Sequence, residues 1–302
     1  VTDTTDSSST STGSIVTAGG VGIAKKLYVG LDANIYGITV GRGGGASSTN
    51  TAVGASALAG STSSAYNVAV GNSAALNATT VANAVIVGYG AVGTGIATGT
   101  YITAIGTSTL KALTSGSYNV GVGTLALQAN TSGTYNTAVG SEALQANVSS
   151  SYSTAVGYQA AYNNTSGGIT AVGFQAGFSA SSSANLTFVG NSAGLYATGG
   201  SNTAVGTSAL QGAAGLSTGA NNTAVGYQAG YSNTTGADNL YIGYTAGSGN
   251  QTGARNVAVG RDSAGSLAGS VYSFSDDVAV GYRALAYLQT GGSNTEIGRA
   301  HV

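Results

Sequence analysis

The chain has 302 residues with only eight Lys or Arg and nine Asp or Glu, a net charge of −1, and no Cys, Met, Trp or Pro. A neutral chain without a basic stripe is not suited to binding nucleic acid, because neutralising phosphates needs clustered Lys or Arg. The lack of cysteine excludes a disulfide framework and a thiolate metal site, and it leaves the redox compartment undetermined.

The first 40 residues differ from the rest of the chain. Residues 1–14 are rich in Ser, Thr and Asp, which predicts a flexible lead-in. Residues 15–40 contain the apolar stretches Ile15-Val16 and Leu27-Tyr28-Val29-Gly30, which predict a β segment. The segment from Ser9 to Gly30 resembles a stretch found in phage tail-fibre proteins, where it precedes fibrous trimeric domains.

A repeat governs residues 41–295. A glycine preceded by Val or Ile recurs at sixteen regularly spaced positions, and nine of the fifteen intervals between them are 17 residues. These glycines are Gly41, Gly54, Gly71, Gly88, Gly106, Gly123, Gly140, Gly157, Gly173, Gly190, Gly206, Gly226, Gly243, Gly260, Gly281 and Gly298. A fixed period in this range predicts a solenoid or another repeat array.

The consensus of one unit is Asn-Thr-Ala-Val-Gly-x-x-Ala-Leu, as in the copy that ends at Gly140. Side chains two apart on a strand point the same way, so the Val site and the Thr site share one side, which we expect to be the interior. The intervening Ala site also admits Ile86, Phe188 and Tyr241, which suggests solvent or a neighbouring chain there. The predicted repeat core is Val53, Val70, Val87, Ile105, Val122, Val139, Val156, Val172, Val189, Val205, Val225, Ile242, Val259 and Val280.

The rest of each unit predicts turns. The repeat glycine fits a sharp corner where a Cβ would collide or where φ must be positive, and the Ala three residues later implies a close backbone. Ser-Gly and Thr-Gly pairs then close the unit as turns. The sequence therefore predicts an all-β, parallel β-solenoid of about 15 coils, with loops at residues 213–218 and 270–276 where the intervals lengthen to 20 and 21.

We expect the fibre to be a homotrimer. A narrow coil lined by Val, Thr and Ala has little interior of its own, so burial between chains is needed and an isolated chain would be marginal or unfolded. The coils resemble the head repeats of YadA-like trimeric autotransporter adhesins, whose shorter unit has an Asn-x-x-Ala-Ile/Val-Gly core. That resemblance covers residues 50–295 and implies a parallel β-roll with three chains side by side. The longer period of this chain departs from the family.

The last seven residues, 296–302, break the repeat, since Glu296 stands at the Ala site and the only histidine, His301, stands at the small-residue site. They resemble the translation of a sequencing adapter, which predicts an artefact and a fragment. A degenerate final coil is the alternative, because Ile297-Gly298 keeps the pattern. No apolar run spans a bilayer, and we expect no membrane insertion in this fragment.

Motifs for enzyme chemistry are weak. Gly88-Tyr89-Gly90-Ala91-Val92-Gly93 matches the dinucleotide fingerprint, but no preceding strand, following helix or later acidic residue is predicted. Ser192 lies in a Gly-x-Ser-x-Gly string, yet its only base would be His301. Asp276-Asp277 could bind a cation in a trimer, although a solvated turn is favoured. We expect no enzyme activity and no cofactor.

Aromatic residues follow the repeat glycine and could stack one coil apart. The candidate glycan contacts are Tyr158, Phe174, Tyr227, Tyr244 and Tyr282, flanked by Gln159, Gln175 and Gln228. Aromatic faces beside amides suit sugar rings, but packing between chains is favoured over that interpretation.

The leading hypothesis is an extracellular, non-enzymatic fibre: the shaft or receptor-binding region of a phage tail fibre or of a trimeric adhesin on a bacterial surface, contacting a receptor or cell-surface glycans. The alternative is an ice-binding solenoid, which requires Thr137, Thr203 and Thr223 to point outward. A polysaccharide lyase on a β-helix is the weakest alternative, because it lacks charged cleft residues.

Overall fold

A computed structural model describes residues 33–35, 38–44, 47–93, 95–181, 184–265, 272–286, 288 and 290–299. The predictions for residues 1–14, for the tail-fibre resemblance at residues 9–30 and for His301 lie outside this part of the chain. Within it, the structure is all-β with no helix.

Nineteen strands of three or four residues are described. They are β1 (Ala33–Ile35), β2 (Ile38–Gly41), β3 (Thr51–Val53), β4 (Val68–Val70), β5 (Val85–Val87), β6 (Thr103–Ile105), β7 (Val120–Val122), β8 (Thr137–Val139), β9 (Thr154–Val156), β10 (Ile169–Val172), β11 (Leu186–Val189), β12 (Thr203–Val205), β13 (Thr223–Val225), β14 (Leu240–Ile242), β15 (Val257–Val259), β16 (Ser273–Ser275), β17 (Val278–Val280), β18 (Thr290–Gly292) and β19 (Thr295–Ile297).

Seventeen of the strands stack in chain order into one long sheet, and β16 and β18 form a separate two-stranded sheet. β1, β2 and β3 pair antiparallel at the start of the long sheet, and from β3 onward every neighbour is parallel and in register. Thr137 lies on Thr154, for example, and Val139 lies on Val156. The chain therefore forms a β-solenoid of about 14 turns, which confirms the predicted fold and period.

The predicted inside and outside of the strand are reversed. The central Ala of each strand is buried, as Ala138 and Ala155 are, and so are Ile86, Phe188 and Tyr241 at that site. None of the predicted core residues is buried: Val139 and Val156 are each 37% exposed. The correction applies to Val53, Val70, Val87, Ile105, Val122, Val139, Val156, Val172, Val189, Val205, Val225, Ile242, Val259 and Val280.

Coil thickness explains the reversal. The strand faces a second wall of the same coil, built from the Ala three residues after the glycine and the Leu that follows it, such as Ala143 and Leu144, both fully buried. Only small central residues fit under that wall, whereas β-branched residues suit the outer surface of a sheet, where they pack on the same residue of the next strand. The chain thus has its own interior of Ala, Leu and Asn.

Large residues at the central site are matched by glycines in the opposite wall. Phe188 packs where a Cβ on Gly177 or Gly194 would lie 2.7 or 2.5 Å from its ring. Tyr241 has the same relation to Gly230 and Gly247, at 2.7 and 2.2 Å. In these coils glycine takes the place that Leu144 holds elsewhere, so the total volume of the coil interior is conserved.

Tyr241 also brings a polar atom into the interior. Its hydroxyl accepts a hydrogen bond from Nδ2 of Asn250 at 2.9 Å, which satisfies the buried oxygen. Burial raises the pKa of Tyr241 well above its ordinary value, although the hydrogen bond from Asn250 acts in the opposite direction.

The repeat glycines are required twice over, as predicted. Gly140 has a φ of +137°, and a Cβ there would lie 2.3 Å from the carbonyl oxygen of Gly157 in the next coil. Gly157 stands in the same relation to Gly173, at 2.4 Å. Stacking at strand spacing thus excludes any side chain from this corner.

A column of buried asparagines closes each coil just before its strand. The backbone N–H of Asn136 donates to Oδ1 of Asn119 at 3.0 Å, and Nδ2 of Asn119 donates to the carbonyl oxygen of Gly133 at 2.7 Å. Asn130 in a second column also donates to that carbonyl, at 3.2 Å. These amides satisfy backbone groups that the short strands leave unpaired.

The two longer intervals have different outcomes. Between Gly206 and Gly226 the extra residues form a turn in which Leu216 is exposed, as expected for a bulging loop. Before Gly281 the prediction of a loop at residues 270–276 is wrong in part, because β16 (Ser273–Ser275) pairs parallel with β18 (Thr290–Gly292). Residues 266–271 lie outside the described part of the chain.

The exchange of volume between Phe188 and Gly194 can be tested by a double-mutant cycle. Phe188→Ala should cost about 3 to 5 kcal/mol of unfolding free energy through the cavity it leaves. Gly194→Leu should also destabilise, because its side chain would overlap the Phe188 ring. The double variant should recover most of both losses, since it recreates the Ala and Leu pair of an ordinary coil. Additive losses in chemical denaturation would contradict the shared interior.

Candidate binding surface

The outward residues of the parallel strands form one continuous surface. In each of the fifteen strands β3 to β15, β17 and β19, it comprises the two outward residues that flank the buried central residue. We call the outward residue before the central one the first position and the one after it the third position, and we name the whole surface the Thr/Val face. The third positions form a column of Val and Ile alone, the Val/Ile column: Val53, Val70, Val87, Ile105, Val122, Val139, Val156, Val172, Val189, Val205, Val225, Ile242, Val259, Val280 and Ile297. The first positions are Thr51, Val68, Val85, Thr103, Val120, Thr137, Thr154, Thr170, Thr187, Thr203, Thr223, Leu240, Val257, Val278 and Thr295.

This face is uncharged along its whole length. At a strand spacing of about 4.8 Å its fifteen strands extend roughly 67 Å, and two side chains about 7 Å apart make it about 10 Å wide. Soluble monomers tolerate apolar residues that are exposed singly, whereas a continuous strip of this size indicates an interaction surface.

Threonine points outward, contrary to the expectation. Thr137, Thr203 and Thr223 share the side of the Val/Ile column and are half-buried by their neighbours in the sheet. Six consecutive strands carry Thr in register, from Thr137 in β8 to Thr223 in β13. The geometric condition set for the ice-binding alternative is therefore met.

The predicted aromatic residues stack one coil apart. Tyr158 and Phe174 have ring centroids 5.6 Å apart, and Tyr227 and Tyr244 are 5.1 Å apart. Tyr282 stands apart from these stacks, with the guanidinium of Arg283 at 5.1 Å from its ring. All five rings are between 39% and 49% exposed, so they lie on the surface of the single chain.

Stacking restricts what these rings can bind. A sugar cannot enter between rings 5 to 6 Å apart, so only the outer face of each stack is free for it. The outer face of Tyr244 is already covered by the guanidinium of Arg261, at 5.3 Å. Gln159, which flanks Tyr158, donates to Glu142 and accepts from Gln175, both at 2.7 Å, so its amide is engaged within the solenoid.

The longest aromatic stack was missed from the sequence. Tyr101, Tyr118, Tyr135 and Tyr152 have centroids 4.8, 4.8 and 5.4 Å apart with nearly parallel planes, and we name them the Tyr ladder. Each lies two residues before the first outward position of its strand, with φ between 56° and 61°. Their spacing of 17 residues is the signal in the sequence that could have revealed this stack.

Charged groups gather in the last coils. Arg255 binds Asp276 through two contacts, Nε to Oδ1 at 2.6 Å and Nη2 to Oδ2 at 2.7 Å. These hydrogen bonds lower the pKa of Asp276 and raise that of Arg255. Asp262 lies between Arg261 and Arg283, at 3.4 and 3.7 Å.

The candidate cation pair does not form a site. Asp276 is exposed and held by Arg255, whereas Asp277 is 1% exposed and stands in the asparagine column, so the favoured solvated turn is wrong for Asp277. In the part of the chain that the structure describes, no three His, Cys, Asp or Glu residues come together to hold a metal ion.

The two enzyme motifs lie at repeat corners. Gly88 does follow a strand, β5, contrary to the sequence interpretation, but a turn and not a helix follows it. Ser192 is part of the corresponding turn after Gly190, and its hydroxyl donates to Oδ1 of Asn191 at 2.9 Å. Both strings are explained by the repeat.

The residues described contain no helix long and apolar enough to cross a membrane. No family model, no curated protein and no solved structure matches this chain.

Asp277 provides a test of the asparagine column. Its Oδ1 accepts from the N–H and Nδ2 of Asn294, at 2.7 and 2.9 Å, whereas Oδ2 has no hydrogen-bond partner among the described residues. Asp277→Asn would place a donor at that position, so we expect a gain of about 1 to 3 kcal/mol in unfolding free energy. Thermal or denaturant unfolding measures it.

Asp276→Asn is the matched control, because it removes the same charge from the neighbouring residue. It should not stabilise the protein, since the carboxylate is exposed and bound by Arg255. Equal gains from both variants would mean that net charge, and not the column, is responsible.

Proposed function

We propose that this chain is part of an extracellular, non-enzymatic fibre formed by a homotrimer, the shaft or receptor-binding region of a phage tail fibre or a trimeric surface adhesin. The observation that carries the proposal is the Thr/Val face, an uncharged strip in which every third-position residue is Val or Ile. Two further copies of the chain are the occupants that best match such a repeating surface, because they carry the same period.

The size of the face supports assembly. A strip roughly 67 Å by 10 Å offers on the order of 700 Å² per chain, close to the 800 Å² or so that each partner contributes to a standard interface. The contact would centre on the Val/Ile column, with the Thr column at its margin and the Tyr ladder outside it. Three chains are favoured by the resemblance of the repeat to YadA-like heads.

Repetition also supports a role in attachment. A rod that carries aromatic rings and amides at regular intervals can multiply weak contacts along a surface, and three chains multiply them again. The near absence of charge between Gly43 and Ala237 favours a neutral ligand such as a cell-surface glycan over an acidic one. The ring faces at the ends of the aromatic stacks are the places where such contacts fit.

Val139→Asp tests the assembly. A carboxylate on the Val/Ile column would be buried without a partner in each copy, at a cost of about 3 kcal/mol or more. We expect the molar mass measured by light scattering to fall from three chains to one. Ser132→Asp, in an exposed turn of the same coil, should leave the trimer intact. A wild-type protein that is monomeric, or a Val139→Asp variant that stays trimeric, would contradict the proposal.

Ice binding is the second candidate, and the six outward threonines from Thr137 to Thr223 favour it. In-register hydroxyls and methyl groups on a regular sheet can match a lattice. Two features weigh against it: the Val/Ile column has no hydroxyl, and Val or Leu interrupts the Thr column at Val120 and Leu240. An apolar column without exception is better explained by a covering chain.

A thermal hysteresis assay separates the two candidates. Because partner chains would cover the Thr/Val face, we expect the assembled protein to show no gap between freezing and melting points. A gap that is lost in Thr203→Lys and kept in Ser132→Lys would establish ice binding on this face and would overturn the fibre proposal.

A further inference from the structure

The column that contains the Tyr ladder continues beyond it with smaller residues. In-register pairing of Thr154 with Thr170 and of Thr170 with Thr187 places Tyr152, Gly168 and Asn185 on successive coils of this column. Gly168 keeps the left-handed backbone of the column, with a φ of +63°. The stack of rings therefore ends at Tyr152, and Gly168 and then Asn185 follow it in the column.

The lack of a side chain at Gly168 exposes one face of the last ring. Tyr152 is 71% exposed, against 45% and 50% for Tyr118 and Tyr135 within the ladder and 51% for Tyr101 at its other end. Beside Tyr101, on the side away from Tyr118, the column holds Asn83, which has a side chain. Beside Tyr152, on the side away from Tyr135, the column holds Gly168. The ring face of Tyr152 that looks away from Tyr135 is thus open to solvent.

The space above that face has the thickness of one ring. Two coils separate Tyr152 from Asn185, which is about 9.6 Å at strand spacing. A ring stacked on Tyr152 at the spacing of the ladder would occupy the middle of this gap, where a fifth tyrosine would otherwise lie. A Cβ at Gly168 would meet only ordinary contacts, with the nearest atom, the backbone nitrogen of Asn185, at 3.4 Å.

Polar side chains surround the gap. Thr154 and Thr170 are exposed, whereas Thr137 and Thr187 on the flanking strands are partly covered. Asn185 lies at the far side, with its Oδ1 3.7 Å from the place of a Gly168 Cβ. The side chains of Thr154, Thr170 and Asn185 make no hydrogen bond to another described residue, so their donors and acceptors are available to a ligand.

We propose that this gap is a binding site for a pyranose ring of a neutral glycan, stacked on the open face of Tyr152 and hydrogen-bonded by Thr154, Thr170 and Asn185. An apolar ring face beside hydroxyl and amide groups matches the two kinds of surface that a sugar presents. No charged residue other than Lys111 and Glu142 lies between Gly43 and Ala237, which disfavours a charged sugar. The inference deepens the attachment role proposed above and does not depend on the number of chains.

The site is tested on the assembled protein by saturation-transfer NMR with oligomers of glucose, galactose, mannose and N-acetylglucosamine. At least one of these probes should receive saturation on its ring C–H groups. Tyr152→Ser should weaken that probe on the order of tenfold, the equivalent of one aromatic stacking contact. Gly168→Tyr should abolish binding by filling the gap, and four tyrosines with φ of 56° to 61° in the same column show that the backbone accepts it.

Tyr66→Ser is the matched control. Tyr66 lies in the same column with a φ of 59° and is 66% exposed, but the next coil carries Asn83 there, not glycine. This variant should bind as the wild type does.

Unchanged binding in Gly168→Tyr, or no binding by any of the four probes, would overturn the proposal. Melting temperature and molar mass are recorded for every variant, so that a loss of folding is separated from a loss of binding. A trimer that binds none of the sugars would refute this site and leave the fibre proposal standing, whereas a monomer that binds them would do the reverse.

Discussion

In-register stacking at strand spacing is the constraint on which the whole structure depends. Every position of a coil lies on the same position of the next one, so each column must be compatible with itself. Glycine lies on glycine because a Cβ at Gly140 would reach the carbonyl of Gly157. Asn repeats in its column because one side-chain amide, such as that of Asn119, can accept from the backbone N–H of Asn136 and also donate to the carbonyl oxygen of Gly133. The Tyr ladder follows the same rule, since the coil repeat equals a favourable distance between stacked rings.

Inside the coil, the constraint acts on volume and polarity together. The central strand site and the site four residues after the glycine share one narrow space, so Phe188 requires glycine where Leu144 stands in another coil. Polarity is matched as well: Ile102 and Leu113 replace both asparagines of an ordinary coil and are fully buried. If only one residue of such a pair were replaced, the coil would contain either a cavity or an unpaired amide, and both are costly.

The sequence was sufficient to predict the period, the parallel stacking and the glycine corner, because each of them produces a regular pattern of residues. It did not decide which side of the strand faces inward, since period two groups Thr137 with Val139 and both columns are apolar enough for an interior. The deciding signal was the coupling of Phe188 to two glycines in the opposite wall. The left-handed backbone of Leu144, with a φ of 51°, was also unpredictable, because a bulky residue ordinarily avoids that region.

The same regularity determines where specificity can reside. A surface that repeats without change offers a partner many equivalent positions, so the Val/Ile column suits a partner of identical period and cannot distinguish one height along the rod from another. Discrimination requires a break in a column. Gly168 ends the Tyr ladder beside Tyr152, and Asp277 interrupts the asparagines. A break that only relieves packing is matched by a change in its neighbours, as at Phe188. The break at Gly168 has no such match and leaves a ring face in solvent, which is why it is better explained by a ligand than by the fold.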